Sequence, residues 1–319
     1  MAEPTTHHHL EGRGFGLGIV SAAGFGTSGP FAKALLATGW SPGAAVTARI
    51  SIGALLLLVP TVRALRGRWH LVRANLAMIV VYGLLAVAGC QLFFFSAVQT
   101  LSVGVALLLE YLGLILVVVW LWARHGHRPR RGTVLGVVLA VVGLVLVLDV
   151  TGDVDVDLAG ALWGLAAAVG LATYFVISAR EATGLPPLVM AGGGMVVATA
   201  VLAVAGGIGV MPMEWSSDRV ELGGTALPWW VPVLGLASVA GAFAYALGIE
   251  AARQLGSKVA AFLGLTEVLF AIVFAWALLD ELPLPVQLLG GLLIIGGVAV
   301  VRYEELTTAR TVGAEALPT

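Results

Sequence analysis

Residues 101–147 read LSVGVALLLEYLGLILVVVWLWARHGHRPRRGTVLGVVLAVVGLVLV, and residues 255–301 read LGSKVAAFLGLTEVLFAIVFAWALLDELPLPVQLLGGLLIIGGVAVV. A shift of 154 positions lays the first over the second without a gap. Aliphatic matches are cheap in a chain this rich in Val, Leu and Ala. The register instead rests on Trp122 with Trp276, Pro129 with Pro283, Gly136 with Gly290 and Gly143 with Gly297. Further upstream, Ala37-Thr38-Gly39-Trp40-Ser41-Pro42 echoes Ala182-Thr183-Gly184-Leu185-Pro186-Pro187. The chain is a duplicated unit.

Each copy holds two apolar runs in the quoted stretch, and three more precede them. A helix needs about 20 apolar residues to cross a bilayer. Ten stretches qualify, at roughly 14–37, 43–62, 75–98, 102–123, 132–150, 157–180, 187–209, 228–249, 257–279 and 284–303. Composition agrees: 59% of the 319 residues are hydrophobic and 11% charged, against about 25% charged in soluble domains. Mean hydropathy is +1.00. The expected fold is an all-α membrane protein of ten transmembrane helices. The division is a polar tail over 1–13, a first five-helix repeat over 14–150, a second over 156–303 and a tail over 304–319. Five is odd, so the second repeat is expected upside down relative to the first. That arrangement surrounds a midplane site in many secondary transporters.

Orientation follows from Lys and Arg, which favour cytoplasmic loops. Arg63, Arg66, Arg68 and Arg73 fill the second connection, and Arg124, Arg128, Arg130 and Arg131 the fourth. Arg180, Arg253, Lys258, Arg302 and Arg310 continue the pattern. The odd connections carry almost none, and the fifth holds Asp153, Asp155 and Asp157. Both termini are therefore expected in the cytoplasm, with the chain in the cell membrane. Trp40, Trp215, Trp229 and Trp230 fall at outer span ends as interfacial anchors, whereas Trp163 and Trp276 lie deeper and are expected to line the bundle interior.

Several motifs fail on context. Gly24-Phe25-Gly26-Thr27-Ser28-Gly29 has the G-x-G-x-x-G form, but a dinucleotide site needs it after a strand. Gly26-Thr27-Ser28-Gly29 has the form of an intramembrane serine protease, yet all six histidines (7, 8, 9, 70, 125 and 127) fall in the tail or cytoplasmic loops, so no base lies at membrane depth. No Walker-type Gly-Lys-Ser/Thr occurs, and no loop would house a nucleotide-driven engine. The arginine-rich loops are explained by topology, so no nucleic-acid partner is expected. Cys90 has no partner cysteine and reads as a small buried hydrophobe. The His7–His9 run is set outside the fold. No enzyme activity, cofactor or metal is expected.

What remains is a set of polar groups at depth. Pro30 cannot donate to the carbonyl of Gly26, so Gly26, Gly29 and Pro30 mark a helix break beside a cavity. Ionisable residues inside a bilayer are expensive, on the order of 2.5–3.5 kcal/mol each at the centre. Glu110 and Glu267 sit near the middle of their spans, and Arg49 sits inside the second. The bland reading pairs Glu110 with Arg49 structurally. The functional one has Glu110 and Glu267 hold a substrate cation or a transferable proton, while Arg49 or Lys33 meets a carboxylate. Thr27, Ser28, Gln91, Tyr111, Thr173, Tyr174 and Tyr245 would complete the cavity.

Leu265-Thr266-Glu267-Val268, Asp280-Glu281 and Gln287-Leu288-Leu289-Gly290 resemble the Leu-Glu-Pro, Gly-Glu and Gln-Leu-Leu-Gly pattern of the drug/metabolite transporter superfamily, in its EamA-type branch. Val268 stands where proline is usual. Tyr82-Gly83, Ser96-Ala97-Val98-Gln99-Thr100, Ala106-Leu107-Leu108-Leu109-Glu110-Tyr111 and Asp155-Val156-Asp157-Leu158 are similar to its threonine/homoserine exporter subgroup. The resemblance covers about 14–303. It implies ten helices in two inverted repeats around a central cavity, and export of a small amino acid or related metabolite. Efflux of hydrophobic drugs is the alternative in the same class, and a non-transporting receptor or assembly factor the alternative outside it. The expected partners are a small-molecule substrate, protons as a candidate coupling ion, and lipid, with the chain a monomer or homodimer.

Overall fold

The computed structural model describes residues 4–98, 100–101, 103–126, 128–147, 157–180, 184–279 and 282–315. Gln99, Asp153, Asp155, Thr183, Asp280 and Glu281 therefore lie outside the described residues. Helix α1 runs Pro4–Gly26 and α2 Ser28–Leu36; α3 runs Pro42–Ala64. Short helices α4 (Trp69–Ala74) and α5 (Leu76–Val81) lead into a π-helical segment, Tyr82–Gly89, and then α6, Cys90–Val98. Next come α7 (Val103–Tyr111), α8 (Gly113–His125), α9 (Arg131–Val147), α10 (Leu158–Ser178) and α11 (Pro187–Gly207). Strands β1 (Val220–Leu222) and β2 (Thr225–Leu227) form a hairpin, followed by α12 (Trp230–Gly235) and a second π-helical segment, Leu236–Phe243. Helices α13 (Ala244–Gly264), α14 (Thr266–Leu279) and α15 (Pro285–Glu315) close the chain.

Among the described residues seven helices are long and apolar enough to cross a membrane, and Arg131–Val147 and Thr266–Leu278 are shorter apolar helices. The outward faces are apolar: Leu55, Val59, Val138 and Leu292 are exposed. A water-facing surface of that kind would aggregate, so this is a multi-pass membrane protein.

Three interruptions shape the interior. At Thr27, Pro30 lacks a donor and the Thr27 hydroxyl donates to the Gly24 carbonyl at 2.7 Å. At Leu265, with no proline, the Thr266 hydroxyl donates to the Leu263 carbonyl at 2.6 Å. Such back-bonding offers the backbone an alternative to the helical ladder. The third break, at Leu112, precedes Gly113. Helix α13 also turns at Gly256, whose φ of 75° suits glycine.

The two π-helical segments begin at Tyr82 and Leu236, 154 residues apart, and each spans eight residues. Helix α11 packs on the first and α3 on the second. Helices α9 and α15 pack through glycines: a Cβ on Gly143 would lie 2.6 Å from the Gly290 carbonyl oxygen, and one on Gly290 2.5 Å from that of Gly143. Gly136 and Gly297 meet in the same reciprocal way. Small residues let helix backbones approach where lipid supplies no hydrophobic drive.

One expectation is extended here and one is corrected. The fold is mostly helical, and the one addition among the described residues is a short hairpin, in which Val220 pairs with Leu227 and Leu222 with Thr225 across Gly223-Gly224, both at positive φ. Two such residues allow the turn that matches strand twist. Trp163 and Trp276 do not face the interior; both are about half exposed, because depth alone does not choose a helix face and lipid welcomes an indole. At the other end Trp40 is buried, its indole donating to the Ser216 carbonyl at 2.8 Å, with the Trp229 ring 5.8 Å away.

Candidate functional site

The breaks and π-segments surround a cavity of about 740 Å³ whose lining comes from both halves of the sequence. Its walls run from Leu36, Pro42 and Gln287, near the Trp40 end, down to Tyr174, Tyr245 and Gly248. Gly26 lets α1 close on the first turn of α14: a Cβ there would lie 2.7 Å from the Phe270 Cβ and 3.0 Å from the Glu267 carbonyl oxygen. The helix break thus sits directly against the segment that carries Glu267.

Glu110, Glu267, Arg49, Gln91, Ser28, Tyr111, Tyr174 and Tyr245 all line this cavity, as do Gly26, Gly29, Pro30 and Lys33. Thr27 and Thr173 are not among its lining residues, which corrects that expectation. The Thr27 hydroxyl bonds its own helix at the break, and the Thr173 hydroxyl donates to the Val169 carbonyl at 2.7 Å.

The charged groups do not pair as the bland reading had it. The Cys90 thiol donates to Oε1 of Glu110 at 3.1 Å and lies 3.6 Å from the Ala167 carbonyl. Tyr111 and Glu267 both line the cavity. Nη2 of Arg49 donates to the Ala240 carbonyl in the second π-segment at 2.8 Å. The Arg49 guanidinium also stands 6.0 Å from the Phe25 ring centroid. Among the described residues Arg49 forms no ion pair with either carboxylate.

Below the acids lies an aromatic floor. The Phe25 and Tyr245 rings are 5.0 Å apart, and those of Tyr174 and Tyr245 5.7 Å, both edge to face. Edge-to-face rings are favoured by their quadrupoles. Gly248 admits Tyr174, whose hydroxyl would lie 2.1 Å from a Cβ at 248. Cys90, Phe25 and Gln287 are cavity residues that sequence reasoning missed. For Gln287 a signal existed: its side-chain amide donates to the Val147 carbonyl at 3.1 Å, and an amide near a span end invites such a tie.

A bundle of apolar helices, broken at three points around a chamber that sets Glu110, Glu267 and Arg49 among mostly apolar walls from both halves, has the form of the membrane transporter class. The sequence profile of the EamA-like transporter family matches residues 12–149 and again 158–303. The chain belongs to that family. It is 28% identical to the threonine/homoserine exporter RhtA of Escherichia coli K12, over 85% of each chain. It is 27% identical to RhtA of Salmonella typhimurium SL1344, over 68% of this chain and 72% of that one. A solved crystal structure with 21% identity shares the fold, with a TM-score of 0.72 over 90% of this chain and 96% of the other.

Proposed function

We propose that the chain is a secondary carrier that exports small amino acids or related polar metabolites across the cytoplasmic membrane by alternating access. Ten spans form two inverted five-helix halves, 14–150 and 156–303, with both termini inside. The observation that carries this reading is that Glu110 and Glu267 line one cavity between the halves. Carboxylates at membrane depth mark substrate or proton paths. The double profile match, the π-segments in the 154-residue register and the exporter relatives support it.

Cells overproducing the chain should grow on otherwise toxic amino-acid analogues, and cells overproducing Glu267→Gln should not. Proton coupling is part of the proposal. Flux in proteoliposomes should rise with an imposed pH gradient for the wild type, and lose that dependence in Glu110→Gln. A second reading, efflux of hydrophobic compounds, draws on Phe94 and Phe95 in the wall. Resistance to hydrophobic toxins without resistance to amino-acid analogues would favour it.

A further inference from the structure

Arg49 is 6% exposed, yet the structure gives its guanidinium one backbone carbonyl and an aromatic ring as neighbours. Guanidinium carries five donors and is always charged. Here Nη2 is used by the Ala240 carbonyl, and Nε is buried with no hydrogen-bond partner. A buried charge that touches no carboxylate is unfavourable, and a lone carbonyl dipole compensates only part of that cost. Arg49 also lines the cavity. A desolvated guanidinium on a chamber wall, with Nε unused and no carboxylate among the described residues in contact, is able to take an anion. Lys33, the other cation in the wall, is exposed where Arg49 is buried.

The chamber's acids constrain what that anion can be. A simple anion would meet Glu110 and Glu267, and a simple cation would meet Arg49. A molecule carrying both charges satisfies both poles. We infer that Arg49 reads the carboxylate of a zwitterionic substrate while Glu110 and Glu267 take its ammonium, so that the chain selects α-amino acids over amines lacking a carboxylate. This rests on the carrier reading above and names the residue that sets its selectivity. The Ala240 carbonyl and the Phe25 face hold the planar fork in place beforehand, and Arg offers a carboxylate two parallel donors where Lys offers a point charge. The same carbonyl belongs to the second π-segment, so a carboxylate that draws Arg49 away from Ala240 also tugs on the opposite half.

The test uses the full chain in proteoliposomes, with counterflow of labelled L-threonine and L-homoserine. Unlabelled 1-amino-2-propanol, which is threonine without its carboxylate, serves as competitor. For the wild type the amine should compete about tenfold or more weakly than threonine, the effect of one charged hydrogen bond. In Arg49→Gln, with an unchanged size-exclusion profile, threonine and the amine should compete alike. An Arg49→Gln protein that keeps the wild-type preference would overturn the inference. Should that variant not fold, Arg49→Lys decides. It should raise the half-saturating threonine concentration with little change in maximal rate, and an unchanged value would count against the idea. Wild-type vesicles that move neither amino acid would refute the carrier reading itself, an outcome visible before any variant is made.

Discussion

The thiol of Cys90 and the carboxylate of Glu110, twenty residues apart in sequence, meet at 3.1 Å on the cavity wall. Cys90 opens α6 directly after a π-helical segment, and Gly170 lets α10 close on it: a Cβ at 170 would lie 2.8 Å from the Cys90 Cβ. The thiol therefore ties down Oε1 of a carboxylate that lines the chamber. Cys90→Ser should keep transport near wild type because a donor remains. Cys90→Ala should raise the half-saturating substrate concentration a few-fold, read from concentration-dependent flux.

Gly248 and Tyr174 give a steric prediction. With the Tyr174 hydroxyl 2.1 Å from the position of a new Cβ, Gly248→Ala must push the ring out of the aromatic floor. Overpacking of this sort destabilises by about 1–3 kcal/mol. The variant should melt at lower temperature in detergent and leak or lose substrate flux. Gly248→Ala combined with Tyr174→Phe, which removes the colliding oxygen, should recover part of the melting temperature.

The glycine contact between α9 and α15 predicts a contrast within one helix. A Cβ on Gly290 would meet the Gly143 backbone, whereas one on Gly296 has nothing within 4 Å. Gly290→Ala should therefore lower the melting temperature clearly, because two backbones would have to separate. Gly296→Ala should be neutral or mildly stabilising, since alanine is the better helix former by about 1 kcal/mol. Equal melting temperatures for the two variants would contradict the packing described.

Val268 stands in the first turn of α14, where its amide makes a 3.2 Å bond to the Leu265 carbonyl. Proline is tolerated in a first turn but not in a helix interior. Val268→Pro should fold and retain flux, losing about 1 kcal/mol with its hydrogen bond. Phe274→Pro, within the same helix, should abolish accumulation in the membrane.

Much of this was legible in the sequence. Hydropathy located the apolar stretches, and Gly26 with Pro30 announced the first interruption. Polar side chains at depth pointed to Glu110, Glu267, Arg49, Gln91, Tyr111, Tyr174 and Tyr245, which lie among the residues lining the cavity. The break at Leu112 was not legible, because it has only Gly113 beside it, which also suits close helix packing. That at Leu265 was not legible either, because a Thr hydroxyl turned onto its own helix looks the same in sequence as one turned to a substrate. Thr27 and Thr173 misled for that reason. The π-segments have no residue signature beyond small side chains such as Ala86 and Ala240. Cys90 looked like filler because a lone thiol acquires meaning only from the carboxylate it faces. The hairpin was signalled by Gly223-Gly224 between Val220-Glu221-Leu222 and Thr225-Ala226-Leu227, a pattern overlooked inside a long apolar chain.

Substrate is expected to pass between Glu110 and Glu267. The direct measurement is uptake of labelled threonine and homoserine by proteoliposomes holding wild type, Glu110→Gln or Glu267→Gln, each checked for a monodisperse profile. The wild type should accumulate label, and either substitution should cut the rate by about tenfold or more, the loss of one charge-assisted contact. Label entering all three at the same rate would contradict a path through that chamber.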